Sequence, residues 1–132
     1  IGQSFARLLK GFGCTILYSK RQPLSAAEEA ELGVRHASLA QLLAQSDIVS
    51  LHCPLTPETS NMIDKAAFKA MKKTAILVNV ARGGVVNESD LIEALRAGEI
   101  AGATGLAPHF GPERPKTSHE PPVAAHHRPP LS

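Results

Sequence analysis

Between residues 14 and 105, short uncharged apolar runs alternate with longer stretches in which apolar residues recur every three or four positions. That alternation is the signature of a parallel sheet covered by helices. The runs predict strands at 14–18, 34–36, 47–51, 75–80 and 101–104, and the run Ala75-Ile76-Leu77-Val78 reads as a strand buried on both faces. A helix is predicted to start at Ser25, where Ser25 and Glu28 form a capping box, and to stop at Gly33. Others are predicted over 38–45, over 64–72 with Lys65, Lys69, Lys72 and Lys73 on or near the exposed side, and over 88–97 closed by Gly98. Phe5, Leu8, Leu9 and Phe12 already fall at helical spacing, with Gly11 and Gly13 after them, so the chain reads as an internal piece of a longer protein. Only 54–63 is long enough to be a functional loop rather than a turn.

Composition narrows the class. With 132 residues and 43% apolar content the chain can build one real core. Its 14 Lys and Arg against 12 Asp and Glu leave a formal charge of +2, and no basic stripe with interleaved aromatics occurs, so nucleic acid is not expected as a partner. No apolar run approaches the roughly 18 residues of a membrane span, so no membrane association is expected. Cys14 and Cys53, both in apolar contexts, read as buried free thiols of a reducing, cytoplasmic compartment. After Leu106 the composition changes: seven of the ten prolines and four of the six histidines lie in 107–132, with few large apolar residues. This Pro/His-rich tail is expected to be disordered, leaving 1–106 as the folded domain.

The richest chemistry lies at the expected carboxyl ends of strands, where open α/β sheets bind ligands. Asn79-Val80-Ala81-Arg82-Gly83-Gly84 follows an apolar strand, and a planar guanidinium there can grip a carboxylate through two parallel hydrogen bonds while glycines allow close approach. The plainer alternative is an arginine paired with a surface carboxylate. Tyr18-Ser19-Lys20-Arg21 ends a strand about where dinucleotide folds read the adenosine ribose. An acidic residue would suit NAD(H); a hydroxyl and two cations suit the 2′-phosphate of NADP(H), although two basic residues in a turn can equally be ordinary surface. His52-Cys53-Pro54-Leu55-Thr56-Pro57 follows another strand. His52 could exchange protons near neutral pH or simply shape its loop. One His beside one Cys is not a metal site, and none is expected.

Together, Ile1-Gly2, Tyr18-Ser19-Lys20-Arg21, the stretch from Ser50 to Thr59 and Asn79 to Gly84 resemble the D-isomer-specific 2-hydroxyacid dehydrogenases, most of all the glyoxylate and hydroxypyruvate reductases. The resemblance covers residues 1 to about 106. It implies a Rossmann-like, doubly wound parallel sheet of order 3-2-1-4-5-6 that lacks its first, central strand here, leaving the strands at 14–18 and 47–51 with unpaired edges unless they close on each other. It implies that Gly2 is the third glycine of the phosphate loop and that His52, Pro54, Leu55, Thr59, Val80 and Ala81 lie along the cofactor beside Ser19, Lys20 and Arg21. It implies that Arg82 orients a 2-oxo acid at the nicotinamide, that NADP(H) is preferred over NAD(H), and that the full-length protein is a homodimer.

Two departures stand against this pattern. Where the family has Gly-Leu-Asp, whose aspartate contacts the carboxamide, this chain has Gly105-Leu106-Ala107. The family's catalytic Glu and His contexts are absent, and Glu113 and His126 have unrelated neighbours, as though the tail came from another frame or exon. The expectation is a cofactor-binding fragment that is inactive or nearly so alone. A non-catalytic dinucleotide-sensing module like the corepressors of the same fold family is the alternative, and it would need a peptide-binding substrate domain that this chain lacks.

Overall fold

The computed structural model describes residues 2–105; Ile1 and 106–132, and with them the expected tail, Ala107, Glu113 and His126, lie outside the described residues. The elements run α1 (Gly2–Lys10), β1 (Ile16–Tyr18), α2 (Ala26–Leu32), β2 (Val34–His36), α3 (Leu39–Gln45), β3 (Ile48–Leu51), α4 (Lys65–Ala70), β4 (Ile76–Asn79), a 3-10 turn (Gly83–Val85), α5 (Glu88–Ala97) and β5 (Gly102–Gly105). Strand and helix thus alternate as the two hydrophobic periods require, and each predicted element forms with its ends within two residues of expectation.

Local chemistry sets those ends. The Ser25 hydroxyl accepts from the Glu28 amide and the Glu28 carboxylate accepts from the Ser25 amide, so α2 begins with a reciprocal capping box. Ser38 and Gln41 build a second such box on α3. Asp64 and Asn87 accept from the third amides of α4 and α5, each cap being worth about 1 kcal/mol. Helix α4 stops at Ala70, two residues short of expectation, with Met71 already extended at φ −72° and ψ 155°.

All strand pairs are parallel, in two groups. β1 pairs with β2, Ile16 opposite Val34, while β3, β4 and β5 pair in that order, with Ile48 opposite Ile76 and Ile76 opposite Gly102. Among the described residues no ladder joins β1 to β3, so the facing edges expected to be unpaired remain so. Helix α1 contacts segments that adjoin both groups. Its Phe5 ring lies 5.4 Å from the His52 ring after β3, and its Lys10 ammonium donates to the Glu31 carbonyl of α2 at 2.9 Å.

The core sits on one face of the three-stranded sheet. Val49, Leu51, Leu77 and Ala103 pack there against Ile63, Phe68, Met71, Val85, Leu91 and Ala94. Phe68 and Ile63 are fully buried, each contributing roughly 1.5–3 kcal/mol relative to exposure. Two expectations need correction. β4 buries Leu77 and Asn79 fully but Ile76 and Val78 only in part, so one of its faces is deep and the other partly open. Cys14 is exposed rather than buried, because β1 starts two residues later and leaves it in the turn after α1. Cys53 is half-buried, and burial pushes its thiol pKa up, away from thiolate reactivity.

Candidate nucleotide and acid site

Arg82 stands just beyond the carboxyl end of β4, where the sheet's ladder ends and the 3-10 turn begins. Its backbone is extended at φ −137° and ψ 143°, and its side chain is exposed. Among the described residues no carboxylate lies within ion-pairing distance of it; the ion pairs there are Lys65 with Glu93 and Lys72 with Asp47. The surface-pair alternative therefore has no partner in the described chain. Its carbonyl is held twice, by the Asn79 side-chain amide at 3.0 Å and by the Val85 amide at 3.2 Å.

The loop after β3 lies directly against this turn. A Cβ on Gly84 would meet both Leu55 methyls at 3.2 Å, so Leu55 and the Arg82 turn approach as closely as glycine permits. The Asn61 amide donates to the Gly84 carbonyl at 2.8 Å, and Ile63 bridges in parallel to Val86. Inside the loop, the Thr59 hydroxyl donates to the Pro54 carbonyl at 2.5 Å and accepts from the Thr56 amide at 2.8 Å. Leu55 and Val80 remain half exposed, at 50% and 48%, which leaves apolar surface beside the Arg82 turn. Ala81 packs against the core edge.

His52 closes the other side of the loop. Its Nε2 lies 2.9 Å from the Ser50 hydroxyl, and its Nδ1 is buried without a partner. Burial lowers its pKa below the ordinary histidine value, which favours the neutral ring. A Cβ on Gly2 would stand 3.5 Å from the His52 Cβ, which sets the first turn of α1 beside the end of β3. Gly2, His52, Pro54, Leu55, Thr59, Val80, Ala81 and Arg82 thus belong to one neighbourhood.

Ser19, Lys20 and Arg21 lie apart from that neighbourhood, exposed at the carboxyl end of β1 in the other strand group. The Tyr18 hydroxyl shapes their loop. It donates to Glu29 at 2.5 Å and accepts from the Leu24 amide at 2.8 Å, so the chain doubles back with Lys20 and Arg21 at its tip. His36 adds an edge-on contact to Tyr18 with ring centroids 5.2 Å apart.

The set suits a dinucleotide: backbone amides at the first turn of α1, an apolar wall at Leu55 and Val80, and cations at the β1 tip. Among the described residues no group of three or more His, Cys, Asp or Glu could hold a metal. A groove between α4 and α5, lined by Lys65, Lys69, Asp90, Glu93, Arg96 and Glu99, contains none of these residues. No described helix is long and apolar enough to cross a membrane.

Sequence reasoning missed Asn79 and Gly105, which lie opposite each other where β4 and β5 end. The one available signal for Asn79 was a polar residue closing an otherwise apolar run.

Comparison with known proteins agrees with this geometry. Residues 1–121 match the model for the D-isomer specific 2-hydroxyacid dehydrogenase, NAD binding domain. The chain is 52% identical over 103 residues to a glyoxylate reductase of Thermococcus kodakarensis, covering 78% of this chain and 31% of that one. It is 47% identical over 104 residues, with the same coverage, to a glyoxylate reductase/hydroxypyruvate reductase of Mus musculus. It therefore spans about a third of the length of these relatives. Among solved structures it resembles the apo D-lactate dehydrogenase of Escherichia coli, with TM-score 0.75 and 41% identity over 81% of this chain and 33% of that one. It also resembles a formate dehydrogenase of Granulicella, with TM-score 0.79 and 30% identity over 89% and 31%. The parallel α/β architecture and these matches agree: this chain belongs to the D-isomer-specific 2-hydroxyacid dehydrogenases, whose NAD-binding domain it represents.

Proposed function

We propose that this chain is the cofactor-binding part of an NADP(H)-preferring reductase for a small 2-oxo acid of the glyoxylate or hydroxypyruvate class. The observation that carries this reading is the exposed Arg82 guanidinium, without a carboxylate partner among the described residues, at the carboxyl end of β4. It would grip the acid's carboxylate in two parallel hydrogen bonds. Gly2, His52, Pro54, Leu55, Thr59, Val80 and Ala81 would line the cofactor, and Ser19, Lys20 and Arg21 would receive its ribose 2′-phosphate. A nicotinamide bound there supplies the hydride. The carbonyl oxygen also needs a proton, and His52 is not offered that role, since its Nε2 is tied to Ser50 and its Nδ1 is sealed from solvent.

Names of relatives support the substrate class, since two of them are glyoxylate reductases by name. Nothing comparable favours a corepressor-like module. Homodimeric action belongs to the same proposal. The isolated chain should oxidise NADPH with glyoxylate at a negligible rate, because a positioned proton donor is worth about 10²–10⁴-fold. Turnover near the ordinary enzyme value of about 10 per second would reject that expectation. Cofactor choice is tested by Arg21→Ala: calorimetric affinity for NADPH should fall about tenfold or more while that for NADH stays unchanged. Equal effects on both cofactors would remove the 2′-phosphate assignment.

A further inference from the structure

Asn79 is the last residue of β4 and is 4% exposed, the one buried polar residue among those described. It occupies the same deep face as Leu77, two residues earlier, where a leucine or valine would suit the core better. An amide buried there is unfavourable unless its donor and acceptor are both satisfied. Both are, and by one short loop. The Asn79 Oδ1 accepts from the Ala81 amide at 3.1 Å, and its Nδ2 donates to the Arg82 carbonyl at 3.0 Å. The backbone on either side of Arg82 is thereby tied to a side chain that the core holds still.

A second feature seals the arrangement from β5. Gly105 lies directly opposite Asn79 in the ladder at φ +128°, and a Cβ there would overlap the Asn79 backbone. Only glycine lets the two strand ends approach this closely. The 3-10 turn completes the clamp, with the Val85 amide donating to the Arg82 carbonyl and the Val86 amide to the Gly83 carbonyl.

We infer that Asn79 is the positioning residue of this site: its buried amide fixes the Val80-Ala81-Arg82 backbone so that the guanidinium is presented ready to receive a planar carboxylate. The inference rests on the proposed role of Arg82 and adds what makes that role effective. A guanidinium on a loose loop would lose conformational freedom on each binding event, whereas one on a pinned backbone has only its own side-chain torsions to order.

The test compares the unmodified chain with Asn79→Leu, which keeps the size and removes both bonds, and Asn79→Asp, which keeps the acceptor and loses the donor. Amide exchange by NMR reports the clamp itself. The Ala81 amide should exchange at least about tenfold faster in Asn79→Leu, as loss of one ordinary hydrogen bond allows, while the Val78 amide inside β4 keeps its protection. Asn79→Asp should retain Ala81 protection. Glyoxylate titration then reports the consequence: its dissociation constant should rise about tenfold in both variants, while that for NADPH, which Val80 and Ala81 only flank, should rise by a smaller factor. Equal Ala81 exchange in the unmodified chain and Asn79→Leu overturns the inference. So does a parallel fall of acid and NADPH affinity with loss of a cooperative melt, which marks Asn79 as structural only. If the unmodified chain binds no glyoxylate, the acid-grip reading fails by itself, and Ala81 exchange still decides whether Asn79 clamps the loop.

Discussion

His52 shows how a single residue couples the site to stability. Burial lowers its pKa in the folded chain, so folding favours the neutral ring. The group's contribution is then fully present above the unfolded value of about 6.5 and is lost as pH falls toward the folded value. The melting temperature should decline as pH drops from 7.5 to below 6, and His52→Asn, which keeps a polar side chain without titrating there, should flatten the decline. An identical slope in both proteins would show that other groups set it. At Arg82 the relevant contrast is with lysine. Arg82→Lys keeps the charge and loses the planar fork, so acid affinity should fall about tenfold or more although the charge is unchanged.

Among the elements, the strand ends carry more information than the strands. A Cβ at Gly105 would strike the Asn79 backbone at a φ of +128°, so Gly105→Ala should cost about 1–3 kcal/mol and lower the melting temperature by roughly 5 °C or more. Gly84→Ala meets only the mobile Leu55 methyls at 3.2 Å and should cost under about 1 kcal/mol. Calorimetry on both variants checks the contrast, and equal melting temperatures would contradict it. The same contrast explains what the sequence made legible. Apolar periodicity and the capping residue Ser25 are local signals, and they located every strand and helix of the parallel architecture within two residues. The Arg82 motif was legible because a charged residue between an apolar strand and two glycines is locally odd. Asn79 was not, since its importance comes from a β5 partner 26 positions away, Gly105, and from the burial that packing alone creates. Cys14 was misplaced for the same reason: its neighbours in sequence are apolar, but the start of β1 is set by pairing with β2.

For the whole molecule, the division of the strands into two groups dominates. β1 and β3 keep unpaired edges among the described residues, and Ile48 at the start of β3 is 63% exposed. Leu8 on α1 and Phe12 in the turn after it are also exposed. Apolar strand edges of this kind recruit further strands. Sedimentation should therefore show association rising with concentration, reduced by Ile48→Lys; a monomer at all concentrations would speak against it. Arg21 follows the carboxyl end of β1 in one group, and Arg82 follows that of β4 in the other. Whether Arg82 binds an acid is tested most directly by following its guanidinium resonance by NMR during titration with glyoxylate in the presence of NADPH. If it does, the Arg82 Nε signal and the neighbouring Gly83 amide shift saturably, with both shifts lost in Arg82→Lys or displaced by oxalate. A titration that leaves these signals unmoved while shifting those of Lys20 or Arg21 would contradict acid binding at Arg82.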